Sequence, residues 1–303
     1  MRFSVVICTY NRERFLTGTL ESVAAQTLAR TDFELLVVDN ASTDRTAEIC
    51  AAFASAHPTL DMRYVMEGSQ GLSFARNRGI AESKGELIVF IDDDVFLDAE
   101  YLSRIDAHYA ADEALMASGT RVRVHYEGRR PVWMSRYLEP LVGHHDFGDV
   151  KRAYPAGKYP VGCSMAFRRE ALNAVGGFRT DLGRKGTSLG ANEEKDFFAR
   201  MRAVGLSVAY LPDVVLTHRI DDRRLDRAYV KRQAVGVGRG ERIRLKDGGL
   251  NGWLPKLLEE AVKAGGSVVL ALAYSLRGQP AKADVLLRFR YWVWLGLLNR
   301  SDP

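Results

Sequence analysis

The chain has little cysteine, no long apolar run and no glycine-rich phosphate loop, and each absence narrows what it can be. Its three cysteines, Cys8, Cys50 and Cys163, are widely spaced and odd in number, with no C-x-x-C pair. That argues against a disulfide framework or a thiolate metal site and fits a reducing cytoplasm. The longest weakly polar run, Ala264 to Leu276, is bounded by Lys263 and Arg277. It falls short of the roughly 20 residues that cross a bilayer, so no transmembrane helix is expected. Near the N-terminus, Phe3 to Cys8 leads straight into Asn11-Arg12-Glu13-Arg14 without a small-residue cleavage site, which reads as a first strand and not a signal peptide. Where a dinucleotide fold or a P-loop would place its glycines, the sequence has Thr9-Tyr10-Asn11-Arg12. A dehydrogenase and a P-loop NTPase are both excluded.

What is present is ordinary globular material: 303 residues, 47% hydrophobic and 27% charged, enough for a large core. The net charge of +5 is uneven, because residues 219–303 hold 17 Lys and Arg against 9 Asp and Glu. A basic tail of this kind meets anionic lipid or phosphate, or is simply a solvated helical surface; no nucleic-acid module accompanies it, and no nucleic-acid partner is expected.

In the first hundred residues, apolar runs at Phe3–Thr9, Glu34–Asp39, Met62–Glu67 and Glu86–Asp92 predict strands. Helical segments at Arg12–Gln26, Asp44–Ala56 and Leu72–Ser83 lie between them, with Gly85 as C-cap. This is the pattern of a Rossmann-like, mostly parallel sheet flanked by helices, an α/β fold. Further on, a helix is expected near Ala99–Ala110, a strand near Met116–Tyr126 and an irregular excursion over the sheet at 127–160. A strand at Gly162–Phe167, a helix at Asn192–Val204 and two short strands, Ser207–Tyr210 and Val214–Thr217, on either side of Pro212 complete this part. Residues 251–300 predict two long helices broken around Gly278-Gln279-Pro280.

Ligands of such sheets bind beyond the carboxyl ends of the strands. Thr9, Tyr10, Asn11 and Arg12 leave the first strand, Asp39 the second, and Asp92, Asp93 and Asp94 the fourth. Clustered carboxylates repel unless a cation sits among them, and hard oxygen ligands suit Mn2+ or Mg2+ carrying a diphosphate.

"TYNR" at 9–12, "VVDNASTD" at 37–44, "GLSFARNRGI" at 71–80 and "FIDDDV" at 90–95 together resemble the family 2 glycosyltransferases, inverting enzymes of GT-A fold that use nucleotide sugars. A weaker likeness continues through 162–178, 190–202 and 214–220. The resemblance implies that Thr9 and Asp39 frame the nucleobase, with Asp39 accepting from a ring N–H, usually of uracil. Arg76 would approach base or diphosphate. Asp92 and Asp94 match the D-x-D acids: Asp94 as the direct metal ligand, Asp92 nearer the ribose or a metal-bound water, and Asp93 between them with a lesser role. His218 falls where many members keep a histidine of the metal or diphosphate site.

Inverting transfer also needs a base, which the family places at a helix N-terminus as Glu-Asp, where this chain has Glu193-Glu194. Glu194 precedes Phe197 and Phe198 by three and four residues and leans with the stripe of Phe197, Phe198, Met201 and Val204, making it the better candidate; Glu193 points aside, towards the acceptor. Asp196 and Arg200 are spaced as a surface pair, and Ser42 or Thr43 as a helix N-cap. Trp133, Tyr137, Tyr154 and Tyr159 offer faces for a sugar acceptor or for loop packing, and His144-His145 lacks ligand spacing. Trp292, Trp294, Leu295 and Leu298 beside Arg288 and Arg290 suggest an interfacial helix, with a homodimer contact or ordinary core as the alternatives.

The expectation is a GT-A domain at 1–240, with a nucleotide-binding half at 1–98 and an acceptor-binding half at 99–240, and a helical extension at 241–303. Its donor is a nucleotide sugar, its acceptor a carbohydrate or lipid-linked hydroxyl, and its place the cytoplasm or the inner face of the membrane. The competing reading is a non-catalytic nucleotide-sugar-binding protein of the same fold.

Overall fold

The computed structural model describes residues 1–155, 157–186, 188–246 and 249–298. Four parallel strands, β1 (Phe3–Thr9), β2 (Phe33–Asp39), β3 (Met62–Met66) and β4 (Leu87–Ile91), lie in the order β3-β2-β1-β4. They are connected through helices α1 (Glu13–Ala24), α2 (Thr46–Ala56) and α3 (Leu72–Glu82). The pleat explains why β1, β2 and β4 read as unbroken apolar runs. Val5, Leu35 and Val89 enter one core cluster, whereas Val6, Leu36 and Ile88 enter another on the opposite face.

Past β4 the sheet turns antiparallel, continuing through β8 (Ser164–Arg168), β6 (Leu115–Tyr126), β9 (Ser207–Ile220) and β5 (Val95–Leu97), with β7 (Arg152–Ala153) paired to β9. Helices α4 (Tyr101–Ala111), α5 (Arg169–Val175) and α6 (Glu193–Ala203) accompany this half. The two short strands expected around Pro212 are one strand, β9. Pro212 falls between the residues paired with β7, Ala209 and Tyr210, and those paired with β5, Leu216 to His218, where the missing N–H breaks neither of these ladders. Gly85 is not the C-cap of α3: Ser83 is, and its hydroxyl donates to the Gly79 carbonyl at 2.6 Å. Gly85 is glycine because a Cβ there would run into the Phe3 and Ser4 backbone.

The chain forms two compact units, the first of Met1–His125, Gly143–Thr180 and Glu194–Arg219, the second of Tyr126–Val142, Asp181–Glu193 and Ile220–Pro303. The second contains α7 (Arg227–Leu245), α8 (Gly249–Leu276) and α9 (Pro280–Leu298). Helix α7 has no counterpart in the sequence reading, since Gly236, Gly238 and Gly240 lower its intrinsic propensity. Tertiary packing explains them: a Cβ on Gly238 would strike the α9 backbone at Val293 and Leu297, and one on Gly296 the α7 backbone at Val235. Trp292, expected on an interfacial surface, is buried with Phe289, Val293 and Leu297.

Candidate active site

At the carboxyl edge of the first unit, β1 and β2 end together, with Thr9 opposite Asp39 in register and both buried. The chain leaves β1 through half-buried Tyr10 and then Asn11, whose φ of 52° is left-handed, a conformation asparagine tolerates. The Asn11 N–H donates to Ser42 Oγ (2.8 Å) and its Oδ1 accepts from the Thr43 N–H (2.7 Å). Ser42 and Thr43 are therefore not helix caps. They tie the two strand exits together, while Asp44 accepts from the Thr46 and Glu13 N–H groups. Asp39 accepts from the Ser42 N–H (2.8 Å) and from the Tyr64 hydroxyl (2.5 Å). Tyr64, on edge strand β3, is a neighbour of Asp39 that sequence spacing did not reveal.

β4 runs directly into Asp92, Asp93 and Asp94, and β5 follows at once, pairing Val95 with His218 of β9. This register brings together residues 124 positions apart. His218 Nε2 lies 3.0 Å from Asp94 Oδ1, and ligand atoms of Asp92, Asp94 and His218 all fall within 4.8 Å of one another. Two carboxylates and an imidazole, with Asp94 and His218 buried, make a donor set that fits a divalent cation such as Mn2+. Gly143 leaves room for the imidazole, since a Cβ there would press on the His218 ring.

Arg12 reaches the acids directly: its Nε lies 3.0 Å from Asp93, and its Nη2 contacts Asp94. Desolvation works against the buried guanidinium's charge, yet Asp93 and Asp94 hold its pKa above the usual range. Burial also pushes the Asp93 carboxyl up, against the pull of Arg12. The middle aspartate is thus the partner of Arg12, a role that adjacency in sequence could not show.

Glu194 is the second residue of α6, and its Oε1 accepts from Arg76 Nη2 at 3.0 Å. Arg76 is buried, stacked 5.2 Å from the Phe178 ring centroid. Both side-chain tips close on Gly162, where any Cβ would collide with them. The neighbouring thiol of Cys163 is raised by burial first and then by the charges of Asp92 and Asp94, with a smaller push from Glu194, so the carboxylates of Asp92, Asp94 and Glu194 share one neighbourhood. Phe197, Phe198 and Met201 are buried as expected, but Val204 is 59% exposed because α6 ends at Ala203. Asp196 meets Arg200 at 2.9 Å, with the acid buried and not at the surface.

Of the aromatics in the excursion, Trp133 and Tyr154 are buried, Tyr159 stacks on Phe198, and Tyr137 stays exposed. His145 is no metal ligand: it hydrogen-bonds the Tyr154 hydroxyl at 2.8 Å, and burial pulls its pKa down to about 4.

Comparison with known proteins accords with this geometry. Residues 4–176 match the family described as Glycosyl transferase family 2. The chain is 27% identical over 242 residues to the succinoglycan biosynthesis protein ExoM of Rhizobium meliloti, covering 78% of this chain and 73% of that protein. It is 24% identical over 252 residues to a glucosyl-dolichyl phosphate glucuronosyltransferase of Haloferax volcanii, covering 80% and 77%. Among solved structures it resembles the mannosyltransferase PcManGT of Pyrobaculum calidifontis in complex with GDP-Man and Mn2+. That likeness has a TM-score of 0.67 at 22% identity and covers 99% of this chain and 88% of the other. It also resembles S. aureus TarS 1-349 in complex with UDP, with a TM-score of 0.58 at 19% identity, covering 100% and 94%. These likenesses establish the GT-A fold.

Proposed function

The chain belongs to glycosyl transferase family 2, and we propose that this glycosyltransferase moves a sugar, with inversion, from a UDP-linked donor to a carbohydrate or lipid-linked hydroxyl with the help of Mn2+ or Mg2+. The observation that carries the reading is the convergence of Asp92, Asp94 and His218 at the ligand-binding edge of the sheet. Complexes of structural neighbours with UDP, with GDP-Man and Mn2+, and with UDP, GalNAc and Mn2+ support it. Relatives in succinoglycan and dolichyl-phosphate chemistry support an acceptor in polysaccharide or glycoconjugate synthesis.

Asp92, Asp94 and His218 would hold the cation, which when bound supplies Lewis-acid stabilisation to the departing diphosphate. Thr9, Tyr10 and Asn11 line the base and ribose side, and Asp39, braced by Tyr64, accepts the uracil ring N–H. Arg12 keeps Asp93 and Asp94 in place. Arg76 holds Glu194 through Oε1, and Glu194 Oε2 takes the proton of the acceptor hydroxyl as its oxygen bonds the anomeric carbon and the bond to diphosphate breaks. Glu193 takes part on the acceptor side. In this scheme residues 1–98 serve the donor, 99–240 the acceptor, and 241–303 form an extension.

A thermal-shift panel of UDP and GDP with and without Mn2+ tests the donor site. At about 100 times its dissociation constant a ligand adds about 2.7 kcal/mol of stability, so a clear Mn2+-dependent shift with UDP is expected. No shift with either nucleotide would sink the reading, and a shift with GDP alone would replace the base assignment.

A further inference from the structure

Helix α8 is amphipathic with its faces reversed. Leu254, Leu258, Val262, Val269, Leu272 and Leu276 are between 61% and 90% exposed. At about 100° per residue they occupy an arc of roughly 80° along the helix. The opposite side is polar and inward: Lys256 and Glu260 are buried, paired at 2.8 Å, and Lys256 lies 3.6 Å from Glu241 of α7. At ordinary side-chain areas the six residues expose roughly 700 Å², against roughly 300–600 Å² for the largest apolar patch of a typical soluble monomer.

Charge on the flank of the stripe, near the C-terminal end of α8, identifies its partner. There a cavity of about 280 Å³ is lined by Arg136, Tyr137, Leu270, Ala273, Tyr274 and Arg277. Arg136 lies over the Tyr137 ring, 4.8 Å from its centroid, and Lys282 Nζ is 5.6 Å from that of Tyr274. Three cations resting on or beside two tyrosines, next to an apolar stripe, are the chemistry of a helix that lies in a headgroup layer. From Leu254 to Leu276 the arc holds no ionisable residue, so a second copy packed on it would offer these cations no carboxylate from that face. Among the described residues no helix is long and apolar enough to cross a membrane.

We propose that the exposed face of α8, with Arg136, Arg277 and Lys282 flanking its C-terminal end, docks on the surface of an anionic lipid bilayer. The contact is peripheral: the leucines and valines enter the headgroup boundary and the cations meet lipid phosphates.

Flotation of the full chain with phosphatidylcholine vesicles containing about 30 mol% phosphatidylglycerol tests it, since anionic lipid attracts basic residues at the surface. The protein is expected to float with these vesicles and at least about tenfold less with pure phosphatidylcholine. Leu258→Asp with Leu272→Asp is expected to abolish flotation, and Arg136→Gln with Arg277→Gln to weaken it about 30-fold. All four side chains are exposed, so both variants should keep the wild-type circular dichroism spectrum and the same Mn2+-dependent response to UDP; that control separates loss of docking from misfolding and from failure of the donor site. Absence of flotation with anionic vesicles overturns the proposal, as does flotation of the Asp variant equal to wild type. A lipid-indifferent dimer in sedimentation equilibrium, dissolved by the same Asp substitutions, also overturns it and assigns the face to a second copy.

Discussion

Replacing Gly162 by alanine should damage catalysis and spare the fold. An ideal Cβ on Gly162 falls closer than 3.0 Å to Glu194 Oε1 and Arg76 Nη2, and both obstacles are the far ends of flexible side chains. Restoring an ordinary carbon–oxygen contact moves the carboxylate by about 1 Å, and misplacement of that size costs about 100-fold in rate. The backbone has no reason to shift, so the loss of stability should stay within about 1 kcal/mol. The assay is kcat for release of UDP from the preferred sugar nucleotide, read beside a thermal melt. Wild-type kcat in Gly162→Ala would show that the Arg76–Glu194 pair can move without consequence, and a collapsed melt would show that Gly162 serves the fold; either result refutes the reasoning.

Two further outcomes follow from buried groups. His145 is held neutral, with its pKa lowered from 6.5 to about 4 by burial. Its share of stability is therefore complete above about pH 6.5 and lost as the pH falls through about 4, about 3 kcal/mol in all; melts across this range should flatten in His145→Gln, and an identical pH slope would contradict the assignment. In Gly85→Ala the added carbon meets the backbone of Phe3 and Ser4, so a destabilisation of about 1–3 kcal/mol is expected in urea titration, and an unchanged midpoint would show that β1 yields there.

The parts of the fold that could be read from the sequence are those set by local pattern. β1, β2 and β4 announce themselves because both faces are covered, and Asp92 to Asp94 stand out because they end such a strand. What stayed hidden depends on contacts between distant residues. Arg12 with Asp93, Tyr64 with Asp39, and Arg76 with Glu194 across Gly162 are long-range pairs without a spacing rule. Helix α7 was masked by glycines whose reason is close backbone passage, of α9 at Gly238 and of Leu189 and Ala191 at Gly236 and Gly240. In α8 the apolar residues carry the helical period, but period alone does not say which face is turned inward, and here the buried face is the charged one.

The proposed role of Glu194 as base, acting across the sugar from Asp92, Asp94 and His218, is tested most directly by Glu194→Gln. The amide keeps the size of the side chain and can still meet Arg76 through its oxygen, but it cannot take up the acceptor proton. Turnover should fall by about 100-fold to 10,000-fold, while titration of UDP in the presence of Mn2+ gives the wild-type Kd. Turnover equal to wild type at unchanged UDP affinity would contradict the account.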